Sequence, residues 1–588
     1  MSSRVLRGIG VSPGCVVGPA LVVHWQLPDV PDRIVSEEEI EGEVTRLREA
    51  VDAVRLHLAE LRERTHERAG SEEAKIFDAQ ILMLDDVDFR SGVERLMRQN
   101  QLSAERAFEF ETLEVRDRWA KSPSAMLRQR AADLLGVAVR VLQRLMGNSI
   151  AEHLHEHKGP PAIILTRELS PGLTVEFDTD RVAGFASVEG TRTSHAAILA
   201  HSLGIPCVMG LVGGLDAVES GAQIILDGSR GTIIVQPTRD EIDTSLERER
   251  KRKAFERELA SVRNEPSVTP DDVRIELKAN VDLPEELEVA FQNGARGVGL
   301  LRTEFMILGR SELPTEEEQF KYFKRIAERF PDDSIIVRSY DLGGDKFPAA
   351  YRPPQEANPF LGWRAIRVCL DQPEIFSDQI RALLRARLHG DIQLMLPLIT
   401  QMDELEQVRG LVAEARAALA RDGVPCADTL PIGVMIETPA AAVLADELAA
   451  ASDFLSVGTN DLTQYVLAVD RGNASLADRF SSYHPAVIRL LKHIVDAGER
   501  AGLKVSVCGE MASEPLAALL LLGLGYSVLS VAPPRLTQIR WLVRRIAVNE
   551  ARPIAERALQ AATTKRVTEL LTEGLREVVD LGGWLPDQ

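Results

Sequence analysis

The chain has 588 residues, too many for one hydrophobic core, so roughly two to four domains are expected. Apolar residues make up 45% and charged residues 27%, the composition of an ordinary soluble globular protein. With 89 acidic against 69 basic side chains the formal charge is −20, which argues against nucleic acid or an anionic membrane as a partner, so an anionic ligand must be met by local cations.

Cys15, Cys207, Cys369, Cys426 and Cys508 are scattered without CxxC pairs, so neither a disulfide framework nor a zinc site is expected. The N-terminal stretch MSSRVLRGIGVSPG has no signal-peptide core, and the most apolar run, AALLLLGLG, is too short to cross a bilayer. The expected location is the cytoplasm, with no membrane insertion.

The opening segment VLRGIGVSPGCVVGPALVV alternates short apolar runs with glycine turns and predicts strands. Ile40, Val44, Leu47, Val51, Val54, Leu58 and Leu61 then step by three and four residues, one face of a long amphipathic helix. Helical pattern continues through EEAKIFDAQILML, SAERAFEFETLEVRDRWA and RQRAADLLGVAVRVLQRLM, which predicts a helical bundle inserted after the opening strands. Strand texture resumes at PAIILTREL, RVAGFASV, IPCVMG, AQIILDG and GTIIVQP. The opening strands are expected to pair with these, giving an α/β domain with a helical insertion. Among them lies EGTRTSHAAILA, where Ser194 is a good N-cap and His195 would stand at the positive end of a new helix. A neutral imidazole there could attack an anion, although the same residues also describe a plain capped helix start. The charged run TRDEIDTSLERERKRKAFERELASVRNEP predicts a solvated linker helix.

The remaining length repeats a short β-branched run followed by a helical segment. RIELKANV, GVGLLRTE, SIIVRSYD, IQLMLPLI, PIGVMIET, FLSVGTND, KVSVCGEM and YSVLSVAP make eight strands, the number of a (β/α)8 barrel. Their polar residues crowd the C-terminal ends, where barrel sites lie. Arg302, Arg338 and Arg471 suit a phosphate or carboxylate, whose oxygens match a guanidinium fork. Glu437 and Asp461 could share Mg2+, and Asn460 stands beside them. Cys508 is either a small buried hydrophobe or a thiol that exchanges a proton with a substrate carbon. Asp341, Gly343, Gly344, Asp345 and Lys346 form a glycine loop with one further cation. From its residues this half binds a small phosphorylated carboxylic acid together with a divalent metal.

The motifs TSHAAILA, GIPCVMG, GVGLLRTEFM, NPFLGWRAIR, GVMIETPAAA, VGTNDLTQYVLAVDRGN and VCGEMA occur in this order over nearly the whole chain. They resemble enzyme I of the bacterial phosphotransferase system, phosphoenolpyruvate–protein phosphotransferase. The resemblance implies that His195 is the phospho-accepting histidine and that Arg302, Arg338, Asn460, Asp461 and Arg471 contact phosphoenolpyruvate. It implies Glu437 and Asp461 as Mg2+ ligands and Cys508 as the proton donor. It also implies a homodimer through the barrel and an HPr-type carrier protein docked on the helical insertion. The expected architecture is a multidomain α/β chain. Residues 1–24 and 150–236 form a swivelling phosphohistidine α/β domain, and residues 25–149 a helical-bundle insertion that binds the carrier. Residues 237–266 form a linker helix, and residues 267–588 a C-terminal (β/α)8 TIM barrel that binds phosphoenolpyruvate and dimerises.

Two positions depart from the family pattern. Thr191 stands where a second glycine is common, and His201 where arginine is usual, so the charge at 201 depends on pH. A paralogue serving a nitrogen-regulatory carrier is the nearest alternative, and its customary N-terminal sensory domain is not expected ahead of GIGVSPG. Pyruvate phosphate dikinase and phosphoenolpyruvate synthase would need an ATP-binding domain for which no glycine-rich loop is found. A non-catalytic regulatory phosphoprotein would be expected to lose some of the barrel residues, and all are present.

Overall fold

The computed structural model describes residues 3–23, 27–69, 71–122, 125–147, 160–167, 181–191, 197, 200–201, 203–215, 218–307, 310, 312–343 and 356–579. The chain divides into two compact units, Met1–Lys253 and Ala254–Gln588.

In the first unit the opening segment forms β1 (Arg4–Ser12) and β2 (Cys15–Val23), and β3 (Ala162–Thr166), β4 (Val182–Ser187), β5 (Cys207–Val212), β6 (Gln223–Asp227) and β7 (Thr232–Val235) follow much later. They close a barrel in the order β1-β5-β4-β3-β2-β6-β7. Neighbours from β2 to β5 through β3 and β4 run parallel, whereas β1 with β5 and β7, and β6 with β2 and β7, run antiparallel. Side chains alternate between faces along each strand. Ile163, Leu165, Ala186 and Val208 therefore enter one core, while Ile164, Phe185, Cys207 and Met209 enter another that also holds Ala197 and Ala200.

Between β2 and β3 the chain forms α1 (Ile40–Ala69), α2 (Ser71–Leu84), α3 (Val87–Asn100), α4 (Ala104–Ala120) and α5 (Ala125–Met146). All seven apolar positions read from the α1 sequence are buried in one bundle core. The sequence reading passes over α3, because its buried stripe is only Phe89, Gly92, Val93 and Met97. Its start is fixed instead by Asp86, whose Oδ1 accepts from the backbone N of Asp88 at 2.8 Å and of Phe89 at 3.0 Å. Past β7 comes α6 (Arg239–Val262), and the boundary between the units falls inside this helix.

The second unit is a closed eight-stranded barrel. Its strands are β8 (Glu276–Val281), β9 (Val298–Leu301), β10 (Ile335–Arg338), β11 (Ile392–Leu396), β12 (Ile432–Ile436), β13 (Phe454–Val457), β14 (Val505–Val507) and β15 (Val528–Val531). Each matches one sequence-read run, and every neighbouring pair is parallel. Helices connect successive strands, and their apolar faces cover the barrel; the run AALLLLGLG is mostly the buried helix Pro515–Leu524. No described helix is long and apolar enough to cross a membrane. Because all eight strands point the same way, their C-terminal ends meet at a single mouth.

Candidate active site

The polar residues sit immediately past the strands. Asp282 follows β8, Arg302 follows β9, Arg338 ends β10, Glu437 follows β12 and Cys508 follows β14. Asn460 and Asp461 belong to the first turn of the helix Thr459–Leu467, and Arg471 lies in the turn beyond it. Arg302, Arg338, Glu437, Asn460, Asp461, Arg471 and Cys508 all line one cavity of about 270 Å³.

Asp282, Glu304, Asp341, Phe360 and Arg364 line it as well. Of these, only Asp341 drew attention in the sequence, as part of the glycine loop. Arg364 lies inside the motif NPFLGWRAIR but away from any strand end, so the strand-end rule does not find it. Asp282 and Glu304 border the runs KANV and LLRT without any spacing that marks them. Gly344, Asp345 and Lys346 lie outside the described residues, as do His195 and Arg192 to Ser194 before it. Of the residues that follow His195, Ala197 and Ala200 are helical and buried, and His201 is helical and exposed.

The cations fall into two layers. Arg338 and Arg364 are buried at the base. Arg338 donates from Nη2 to Glu304 Oε1 at 3.0 Å and lies 3.2 Å from Asp341 Oδ2 through Nη1. Arg364 grips Asp341 from Nε and Nη2 at 2.7–3.0 Å and donates from Nη1 to the Tyr465 hydroxyl at 3.3 Å. Burial opposes the charge on both guanidiniums, but the surrounding carboxylates outweigh it and raise both pKa values. At the rim, Arg302 and Arg471 keep more than a third of their side chains exposed. Arg302 pairs with Asp282 at 2.7 Å, and Arg471 stands 3.7 Å from Asp461 Oδ1.

Among the described residues, three buried polar atoms of this cavity have no hydrogen-bond partner: Arg302 Nε, Arg338 Nε and Asp461 Oδ1. Leaving such groups unmatched costs about 1–3 kcal/mol each, more for charged groups. Two unmatched donors call for an anion and one unmatched carboxylate oxygen calls for a cation. Glu437 makes the same demand. Its Oε1 accepts from the backbone N of Leu398 at 2.7 Å, while its Oε2 faces Gly458, where an added Cβ would lie only 2.6 Å away. Burial, then repulsion from Asp461 and Asp341, raises its pKa well above the ordinary carboxylate range. Two buried carboxylates with open space between phosphate-type donors suit Mg2+, which takes one or two protein carboxylates and completes its shell with water and substrate oxygens. No group of three His, Cys, Asp or Glu side chains among the described residues could hold a metal alone.

Cys508 lies on the floor of the cavity. Its thiol is directed to the Val457 carbonyl at 3.5 Å, and its own carbonyl accepts from Asn280 Nδ2 at 2.9 Å. Burial pushes its pKa up to about 11, so the thiol carries a proton at neutral pH. Gly509 allows this approach: a Cβ there would lie 1.9 Å from Thr459 Oγ1 and force β14 away from the helix that carries Asp461.

Three family models match the chain: PEP-utilising enzyme, N-terminal, over residues 7–130; PEP-utilising enzyme, mobile domain, over residues 158–231; and PEP-utilising enzyme, PEP-binding domain, over residues 256–548. The phosphoenolpyruvate-protein phosphotransferase of Geobacillus stearothermophilus is 37% identical over 569 residues, covering 97% of this chain and 98% of its own. That of Staphylococcus epidermidis is 35% identical over 575 residues, covering 97% and 99%.

Proposed function

This chain belongs to the phosphoenolpyruvate-protein phosphotransferases, and from that premise we propose that His195 takes the phosphoryl group of phosphoenolpyruvate and passes it to a histidine of an HPr-type carrier. The family's reaction, phosphoryl transfer from phosphoenolpyruvate to protein, is the activity of this chain. The roles of individual residues are our assignment. The observation that carries it is the trio of unmatched atoms, Arg302 Nε, Arg338 Nε and Asp461 Oδ1, inside one cavity of about 270 Å³.

Arg302, Arg338 and Arg471 hold the phosphate and carboxylate oxygens, with Asn460 beside them. Arg364 and Glu304 keep Arg338 and Asp341 in place through buried pairs. Glu437 and Asp461 would hold Mg2+, which when bound supplies positive charge to the phosphate as charge develops during transfer. With the phosphate held by the arginines, the neutral imidazole of His195 attacks phosphorus in line. A nitrogen–phosphorus bond forms, the bond from phosphorus to the enol oxygen breaks, and the electron pair leaves with the enolate. Cys508 delivers its proton to the enolate carbon, giving pyruvate, and a proton from solvent restores the thiol.

In this reading residues 1–24 and 150–236 carry the phosphohistidine, residues 25–149 receive the carrier, residues 237–266 link and residues 267–588 bind phosphoenolpyruvate. A histidine that serves two partners must travel, so the linker works as a swivel. The homodimer through the barrel and the cytoplasmic location rest on the family resemblance alone. The test is incubation with labelled phosphoenolpyruvate and Mg2+, followed by sugar-type and nitrogen-type carriers offered side by side. Label should pass through His195 to the sugar-type carrier. Exclusive transfer to the nitrogen-type carrier would assign the paralogous role, and label on another residue would overturn His195.

A further inference from the structure

Charged side chains, interspersed with Leu283, Phe305 and Phe360, wall the cavity, and its floor is apolar. Leu300 on β9, Ile336 on β10, Met395 on β11, Met435 on β12, Phe454 on β13 and Cys508 just past β14 form a buried cluster of their own inside the barrel. Three of them, Leu300, Met435 and Cys508, also line the cavity. The strand period places this floor directly beneath the charged mouth. Leu300 precedes Arg302 by two residues, Ile336 precedes Arg338 by two, and Met435 precedes Glu437 by two, so each pair shares the inward face. The layer below is filled. Gly433 has no side chain, and the Phe454 ring occupies that space, with ring carbons 2.3–2.4 Å from where a Cβ would stand. Leu300 and Met435 each keep only 2% of their surface exposed. On the side away from the cavity they pack within the buried cluster.

A phosphoenolpyruvate molecule has two anionic ends and one apolar part, its methylene carbon. The anionic ends belong with the arginines, and the buried floor around the Cys508 thiol, which is to protonate the methylene carbon, suits the methylene. We infer that Leu300 and Met435, packed around Cys508, seat the methylene carbon of the substrate and decide which substituents that carbon can carry. This rests on the reading above, in which the arginines hold the phosphate and carboxylate and the Cys508 thiol protonates that carbon. A packed aliphatic floor admits hydrogen at the carbon and resists a methyl group there. It also keeps water from the floor side of the enolate, so the proton arrives from one face.

The probe is 2-phosphoenolbutyrate, the analogue with one methyl group on the methylene carbon, compared with phosphoenolpyruvate by kcat/KM for release of the keto acid in the presence of carrier. One methyl group in a hydrophobic pocket changes discrimination by about 10–200-fold. Met435→Ala should therefore raise the butyrate-to-pyruvate ratio about tenfold or more, whereas Met435→Leu, which keeps the volume, should hold it near the wild-type value. If Met435→Ala does not fold, Leu300→Val carries the same test from the neighbouring strand. An unchanged ratio in folded variants at both positions overturns the inference. Cys508→Ala is measured alongside. A shifted ratio in Met435→Ala with an unslowed Cys508→Ala keeps the floor and removes the thiol as acid. A slowed Cys508→Ala with unshifted ratios keeps the acid and removes the floor.

Discussion

The two closed barrels of this chain handle chemistry in opposite ways. In the seven-stranded barrel, antiparallel neighbours send strand ends to both sides, and the described interior is aliphatic: Leu6, Ile163, Leu165, Val208, Leu226 and Ile233. The reactive group we propose for it, His195, belongs to one short segment of the sequence. In the eight-stranded barrel all strands are parallel, so residues from Asp282 to Gly509 meet in one cavity although far apart in sequence. A mobile carrier group needs only one residue on one segment. A clamp for two anionic groups and a metal needs many directions at once, and a ring of parallel strand ends supplies them.

The sharpest way to break this contrast is at His195. His195→Ala should lose all stable labelling from phosphoenolpyruvate, and a variant that still takes up label would mean the acceptor lies elsewhere. Cys508 and Glu437 test the opposite property, that residues from different strands act as one site. Cys508→Ala should slow pyruvate release by about 10²–10⁴-fold while leaving phosphoenolpyruvate affinity by calorimetry little changed. A wild-type rate with unchanged stereochemistry at carbon would show a packing residue only. Glu437→Ala should keep its fold by circular dichroism and weaken Mg2+ binding by more than the about 10–100-fold typical of outer-shell changes. Unaltered Mg2+ affinity would place the ligands elsewhere.

The thiol also gives a pH test on the metal-free protein. Its pKa rises from 9.0 to about 11 on burial, so the fold favours the neutral form. Its contribution to stability is complete below pH 9.0 and is lost as the pH rises through about 11. Ultraviolet thiolate absorbance assigned by difference from Cys508→Ala should appear near the higher value in the folded chain, and appearance near the lower would mean an open site.

Within the mouth, base and rim should separate by stability. Arg338→Met leaves Glu304 and Asp341 buried beside a missing cation, which typically costs about 3–5 kcal/mol in denaturant unfolding of the barrel. Arg471→Met at the half-exposed rim should change stability by no more than about 1 kcal/mol. Equal losses would erase the distinction between layers. The smallest effect is expected at His201, on the seven-stranded side. His201→Arg should change the rate of transfer to the carrier without altering label uptake from phosphoenolpyruvate, and an unchanged rate would show that the imidazole takes no part.

What the sequence alone determined follows from periodicity. The three-and-four stepping from Ile40 to Leu61 marked α1, and eight β-branched runs marked eight strands, because apolar spacing records which face is buried. The strand-end rule likewise reached Arg302, Arg338, Glu437 and Cys508, since a parallel barrel turns position along a strand into position at the mouth. Tertiary structure alone decided what carries no period. Arg364 arrives from a loop, Asp282 and Glu304 are recognisable only by the arginines they face, and α3 depends on a cap and a thin stripe. Only the closed barrel placed Leu300, Met435 and Phe454 beneath the charges as a floor. In the sequence they are three ordinary apolar residues of three strands, because which inward residues share a layer is set by the stagger of the strands around the barrel.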